Sequence, residues 1–235
     1  MKPFILLTSA LLLVIGVRSQ TPENALSAQE QAEGWQLLFN GKDLSGWKTT
    51  RGSLPEEEWQ VVRGELSIRP DVKSHRDIIS DQQYTNFDLR LDFKLTEGAN
   101  SGIKYFFTQY EEGGWLGPEF QIIDNDNHPD AKLGIDGNRR LAALYDLLPV
   151  THQVAVKVGE WNHARIVANG STVTHYLNGK EVLTYNRNSP EFERARQQSK
   201  FKDVKPTFGS LSTGHILLQD HGDLVFFKNV KIKPL

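Results

Sequence analysis

Phe87-Asp88-Leu89-Arg90-Leu91-Asp92-Phe93-Lys94-Leu95 carries an apolar side chain at every odd position and a charged one at every even position. Side chains on a β-strand point alternately to opposite faces, so one face of this segment belongs to a core and the other meets water. That arrangement suits an antiparallel sandwich, whose wet face is either outer skin or a ligand groove. Both readings stand at this point.

The pattern spreads outward as short strands separated by Gly, Asn and Asp turns. Residues 59–68 read as two strands about Arg63-Gly64, and further strands are expected at 103–108, 119–123 and 161–168. Asn178-Gly179 is a hairpin turn between strands at 172–177 and 180–185, and a last pair is expected at 216–219 and 224–232. Only residues 192–200 read as helical, with Ser189 as cap and Pro190 in the first turn. The expected fold is all-β: a jelly-roll sandwich of two antiparallel sheets with one short helix, forming a single domain over residues 34–235.

Ahead of that domain, Lys2 and an apolar run over residues 4–17 end at Val17-Arg18-Ser19, the pattern of an export signal cleaved after Ser19. The run falls short of the ~20 apolar residues that span a bilayer, so no stable membrane insertion is expected once the signal is removed. Residues 20–33 are polar and lack apolar periodicity, and are expected to form a flexible leader. The chain has no cysteine, which excludes a lipid-anchored start and disulfides alike and suits a bacterial periplasm or the extracellular space. Lys and Arg total 27 against 29 Asp and Glu, and the absence of a basic face argues against nucleic acid as a partner.

Two loops concentrate chemistry. Leu218-Gln219-Asp220-His221-Gly222-Asp223 sets an imidazole, two carboxylates and an amide in a connection that needs only turn residues. The irregular stretch over 124–149 is too long for a passive connection. Its start, Asp124-Asn125-Asp126-Asn127-His128-Pro129-Asp130, imitates a calcium loop but has Pro129 where an EF-hand needs Gly and Ile135 where it needs Glu. Asp124 and His128 remain candidate ligands for a divalent metal ion, with His128, His175 and His221 as the available imidazoles. His175 shares a face with Val173 and Leu177 and reads as structural. Glu119 and Gln121 share the non-apolar face of their strand, where a carboxylate beside an amide can hold vicinal hydroxyls. A serine nucleophile elbow, a phosphate loop and a dinucleotide fingerprint are missing, as is the paired-acid strand of laminarinase-like glycosidases.

Gly34-Trp35-Gln36-Leu37-Leu38-Phe39-Asn40-Gly41-Lys42-Asp43-Leu44-Ser45-Gly46-Trp47 resembles the opening of the 3-keto-disaccharide hydrolase domain family. Four further blocks agree: Asn100-Ser101-Gly102-Ile103, Gly117-Pro118-Glu119-Phe120-Gln121-Ile122-Ile123-Asp124 with His128, Ala143-Leu144-Tyr145-Asp146, and Gln219-Asp220-His221-Gly222-Asp223 running into Phe227-Lys228-Asn229-Val230-Lys231-Ile232. The resemblance implies a concanavalin-like jelly roll, usually exported, that cleaves glycosides already oxidised to a ketone at C3. A C3 ketone acidifies the C2 proton, so a general base can start elimination of the C1 substituent without an oxocarbenium pair. His128 or His221 is then the candidate base, with Asp220 or Asp146 orienting it. Asn100, Glu119, Gln121 and Tyr145 would hold the sugar or a metal, and a divalent ion or convergent donors would stabilise the enolate. The competing reading is a non-catalytic carbohydrate-binding module with Trp115 as stacking platform.

Overall fold

The computed structural model describes residues 21–235, and the expected export signal lies outside them. In chain order, β1 (Gln36–Leu37), β2 (Trp47–Lys48), β3 (Trp59–Val62) and β4 (Glu65–Ile68) lead into β5 (Ile78–Tyr84), β6 (Phe87–Leu95) and β7 (Asn100–Tyr110). Next come β8 (Gly114–Leu116), β9 (Glu119–Ile123), β10 (Asn162–Asn169), β11 (Thr172–Leu177) and β12 (Lys180–Asn186). The final pair is β13 (Gly214–Leu218) and β14 (Val225–Pro234). One sheet runs β12-β11-β10-β6-β14-β4-β3, with β1 also paired to β14. The other runs β2-β5-β13-β7-β8, and β9 pairs with the first half of β7 where β8 pairs with its second half. This is the expected two-sheet antiparallel jelly roll.

The apolar residues of β6 pack into one core with Ile103 and Tyr105 of β7 and Phe120 and Ile122 of β9. Each such side chain stabilises the fold by roughly 1.5–3 kcal/mol through burial. The charged face of β6 is less wet than alternation suggests. Asp88 is buried and takes both Arg165 Nε and Nη2 at 2.9 Å, while Asp92 accepts from Asn229 Nδ2 at 2.7 Å. Charged and hydrogen-bonding partners let carboxylates sit on a half-covered sheet face.

The leader is a correction to the sequence reading. From Thr21 onward it is folded against the sheet, not loose. Asn24 N–H donates to Asn229 Oδ1 at 2.7 Å, Asn229 N–H returns a bond to Asn24 Oδ1 at 2.8 Å, and Asn24 Nδ2 donates to the Gly64 carbonyl. Glu23 and Glu30 form ion pairs with Lys228 and Lys231. Ser27 and Glu30 form a capping box on the short helix α1 (Ala28–Ala32), a local signal the sequence already carried. Helix α2 (Pro190–Gln198) begins as expected, with Ser189 Oγ accepting from the Phe192 N–H.

One irregularity shapes the outer face of β7. Phe106, in the middle of β7, has φ of 51°, and the register against β13 jumps from Leu217↔Lys104 to His215↔Phe107. Two residues of β7 thus oppose one of β13, a bulge that puts Lys104 and Phe107 on the same face despite their odd spacing. Gly214 accommodates it: a Cβ there would lie 2.3 Å from the Phe106 carbonyl carbon.

The long loop over 124–149 is tied down by His175, which is fully buried as expected of a structural histidine. Its Nδ1–H donates to the Ala142 carbonyl at 2.9 Å, leaving Nε2 to accept from Tyr105 O–H at 2.8 Å, and Tyr185 O–H bonds Tyr105 at 2.7 Å. Burial lowers the His175 pKa from 6.5 to about 4. The folded state therefore binds fewer protons than the unfolded chain between those values, and stability rises with pH from about 4 to 6.5. Urea unfolding at pH 5 and pH 7 should show a higher midpoint at pH 7. His175→Gln should shrink that difference.

Candidate active site

β7 and β9 pair so that Lys104 lies opposite Glu119 and Gly102 opposite Gln121. With Ile103, Phe120 and Ile122 committed to the core, alternation turns Asn100, Lys104, Glu119 and Gln121 to the other face. There they form the floor of a cavity of about 290 Å³, close to the lower end of the range typical of ligand sites. The β13–β14 turn brings Gln219 and His221 to its edge, and the long loop and the segment after α2 bring Asp130, Tyr145, Lys200 and Phe201 as the far wall.

The floor is a linked set of polar groups. Lys104 Nζ is 3.6 Å from Glu119 Oε2. The Gln219 amide, oriented by its partners, directs its oxygen to Lys104 Nζ at 3.1 Å and its nitrogen to Glu119 Oε1 at 3.2 Å. His221 Nε2 sits 3.0 and 3.1 Å from the two amide atoms. Gly102 makes this possible, since a Cβ there would stand 2.5 Å from Glu119 Oε1 and 3.0 Å from the Gln219 amide. Asn100 Oδ1 is buried with no protein partner, an acceptor left for a donor in the cavity.

The wall is held by Asp146. Its Oδ1 accepts from Arg139 Nε at 2.7 Å and its Oδ2 from the Lys200 N–H at 3.0 Å, and Arg139 Nη1 reaches Asp130 at 2.8 Å. Lys200 Nζ lies 4.4 Å from the centre of the Tyr145 ring, with Arg139 also beside that ring.

Burial moves Glu119, His221, Lys200 and Tyr145 toward their neutral forms. It raises the Glu119 carboxyl above its ordinary value against the pull of Lys104 and Lys200. It lowers His221, where Lys104 acts in the same direction and Asp77 opposes. The Lys200 ammonium is likewise lowered by burial, with Glu119 and Asp146 opposing. Tyr145 is raised, first by burial and then by Asp130. An imidazole biased toward its neutral form, a carboxyl with raised pKa and two lysines in one cavity are parts suited to acid–base chemistry.

Residues 34–233 match the family model described as a 3-keto-alpha-glucoside-1,2-lyase-like domain. The chain belongs to this family. A 3-keto-disaccharide hydrolase of Bacteroides thetaiotaomicron is 33% identical over 238 residues, covering 90% of this chain and 82% of that one. A candidate glycosyl hydrolase of known structure from Parabacteroides distasonis superposes with a TM-score of 0.81 at 33% identity, over 91% of this chain and all of the other. A second from that organism gives 0.66 at 30% identity, over 86% and 99% of the two chains.

Of the residues singled out in the sequence, the fold brings Asn100, Glu119, Gln121, Tyr145 and His221 to this cavity. Others are placed differently. Asp220 does not orient His221: its carboxylate accepts from Arg76 and Gly222 N–H groups and faces His75 Nδ1 at 3.1 Å, fixing the turn that presents His221. Asp146 holds Arg139 and Lys200 instead of an imidazole. His128 is not among the residues lining the cavity, because its Nδ1 accepts the Asp130 N–H as the cap of a 3₁₀ turn over Pro129–Lys132. Nor does Asp124 fit a metal site with it. Burial alone would raise the Asp124 pKa, but bonds from the Gly98, Asp126 and Asn127 N–H groups and the Asn127 amide occupy both oxygens and lower it. Among the described residues no three His, Cys, Asp or Glu side chains converge as a metal site would require. Trp115 lines a neighbouring groove, not this cavity.

Lys104, Lys200 and Arg139 escaped the sequence reading, since a lone basic residue usually marks solvated surface. The signal available was the strand register that sets Lys104 beside Glu119. The imidazole of His221 should titrate below 6.5 in a histidine-resolved NMR pH series. Lys104→Met should move its midpoint upward, because a positive neighbour is removed.

Proposed function

We propose that the protein is an exported enzyme that cleaves glycosides whose sugar carries a ketone at C3, by removing the C2 proton and expelling the C1 substituent. The observation that carries this reading is the convergence of His221, Glu119, Lys104 and Gln219 in one cavity whose burial lowers the imidazole pKa and raises that of the carboxyl. Membership of the family and the relative named a 3-keto-disaccharide hydrolase support the substrate class.

His221 Nε2 takes the C2 proton, and the C–H electron pair enters the enolate of the C3 ketone. The ammonium groups of Lys104 and Lys200 balance the charge that develops on the C3 oxygen. As the ketone re-forms, the electron pair makes a C1–C2 double bond, the C1–O bond breaks, and the leaving oxygen takes a proton from the Glu119 carboxyl. Addition of water across C1–C2 then gives the free 3-keto sugar. Without this rehydration the product is the unsaturated ketone.

A direct glycosidase needs two free carboxyl groups across the scissile bond. Among the residues lining the cavity only Glu119 and Asp130 carry one, and Asp130 is tied to Arg139. Elimination explains why one suffices. The apolar run over residues 4–17 and the Val17-Arg18-Ser19 site support export to the periplasm or beyond. Among the described residues no helix is long and apolar enough to cross a membrane.

The protein should release the leaving group from a chromogenic 3-keto-glucoside and none from the unoxidised glucoside. His221→Ala should cut turnover by ~10²–10⁴-fold, and Glu119→Gln by about 10²-fold. Since the base must be unprotonated, the acid limb of kcat/KM should rise with pH through a midpoint below 6.5 and disappear in His221→Ala. Release from neither substrate would favour a sugar-binding protein instead.

A further inference from the structure

Beside the cavity lies an open groove of about 610 Å³ on the same sheet face. Its floor is apolar. Trp115 stacks on Phe107 with ring centres 5.6 Å apart and planes 30° apart, leans on His215 at 6.0 Å, and leaves 36% of its surface to solvent. Phe107 in turn packs with Ile79 and Leu217 in a small cluster separate from the main core. A tryptophan held this way offers one fixed, open ring face. Its rim is polar, with Thr50, Arg51, Ser74, His75 and Asp77 around the platform.

Groove and cavity adjoin. Lys104 Nζ, in the cavity floor, is 5.9 Å from the centre of the Phe107 ring, and Leu116, next after Trp115, lines the cavity. His75, on the groove rim, meets the Asp220 carboxylate beside His221. The left-handed backbone of Phe106 is what turns Phe107 to this face. Such a conformation is unfavourable for a bulky residue, and strain of this kind gathers at functional sites.

We infer that the groove is a leaving-group subsite for a pyranose ring, with Trp115 as the surface on which the ring stacks. This rests on the lyase reading of the neighbouring cavity and adds to it where the leaving ring sits, across the boundary from the cavity that holds the keto sugar. A pyranose presents an apolar C–H face to an aromatic platform and hydroxyls to a polar rim. A flat aromatic leaving group would satisfy Trp115 but offer nothing to the polar groups of Arg51 and Ser74 on the rim.

The test compares kcat/KM for a 3-keto-disaccharide, methyl 3-keto-glucoside and phenyl 3-keto-glucoside. Trp115→Ala should lower the disaccharide-to-methyl ratio about tenfold, the loss expected of one stacked ring. Trp115→Phe should restore most of the ratio, and Arg51→Ala should lower it about threefold, as expected for one polar contact. An equal fall on the disaccharide and methyl substrates, or no fall, overturns the subsite. A larger loss on the phenyl glucoside than on the disaccharide overturns the pyranose assignment. Titration with unoxidised disaccharide, read by tryptophan fluorescence, separates the two readings. If the wild type cleaves no keto substrate, a saturable signal lost in Trp115→Ala keeps the subsite and overturns the lyase. No Trp115-dependent signal overturns the subsite.

Discussion

The register between Asn100–Tyr110 and Glu119–Ile123 is the constraint on which the rest of the site depends. It sets Lys104 against Glu119 across one strand pair and Gly102 against Gln121, so the polar floor and the apolar core are opposite faces of the same two strands. A slip of one residue would exchange those faces, driving Lys104 and Glu119 into the sandwich and Ile103 and Phe120 out of it. Core packing and site geometry are therefore enforced by the same burial. The buried Lys104–Glu119 pair is weak evidence for stability, since desolvating two charges offsets most of their attraction.

Around that floor the molecule adds parts that immobilise without reacting. His175 ties the long loop to the core through Ala142, Asp220 closes the turn that carries His221, and Asp146 joins Arg139 to the Lys200 backbone. Asp146 itself has φ of 60° and Ala142 66°, so the wall that bears Tyr145 is held at both ends by left-handed backbone. Preorganised donors and acceptors of this kind lower the reorganisation needed as charge develops.

Most of the fold was legible because it rests on local period and turn chemistry. The alternation over 87–95, the Asn178-Gly179 turn and the Ser189-Pro190 start were each readable in isolation. The site was half legible. Glu119 and Gln121 followed from alternation, and His221 from a turn richer in functional groups than a turn needs. What failed were assignments that depend on where a hydrogen bond goes. Asp124 and His128 look like ligands in sequence but spend their acceptors on neighbouring backbone N–H groups. Asp220 meets His75, 145 residues away, and not the adjacent His221. Lys104 and Lys200 were hidden because nothing local distinguishes a buried lysine from a solvated one. The leader was misread although its Ser27–Glu30 capping box was in plain view, because Asn24 and its distant partner Asn229 are invisible to local periodicity.

Elimination requires that the bond between C2 and its hydrogen breaks during cleavage. Its most direct test is turnover of a 3-keto-glycoside deuterated at C2 in ordinary water, with the product followed by NMR and the rate compared with the protonated substrate. Elimination predicts loss of deuterium from C2 in the product. Product that retains its C2 deuterium at an unchanged rate would contradict elimination and point to direct displacement at C1.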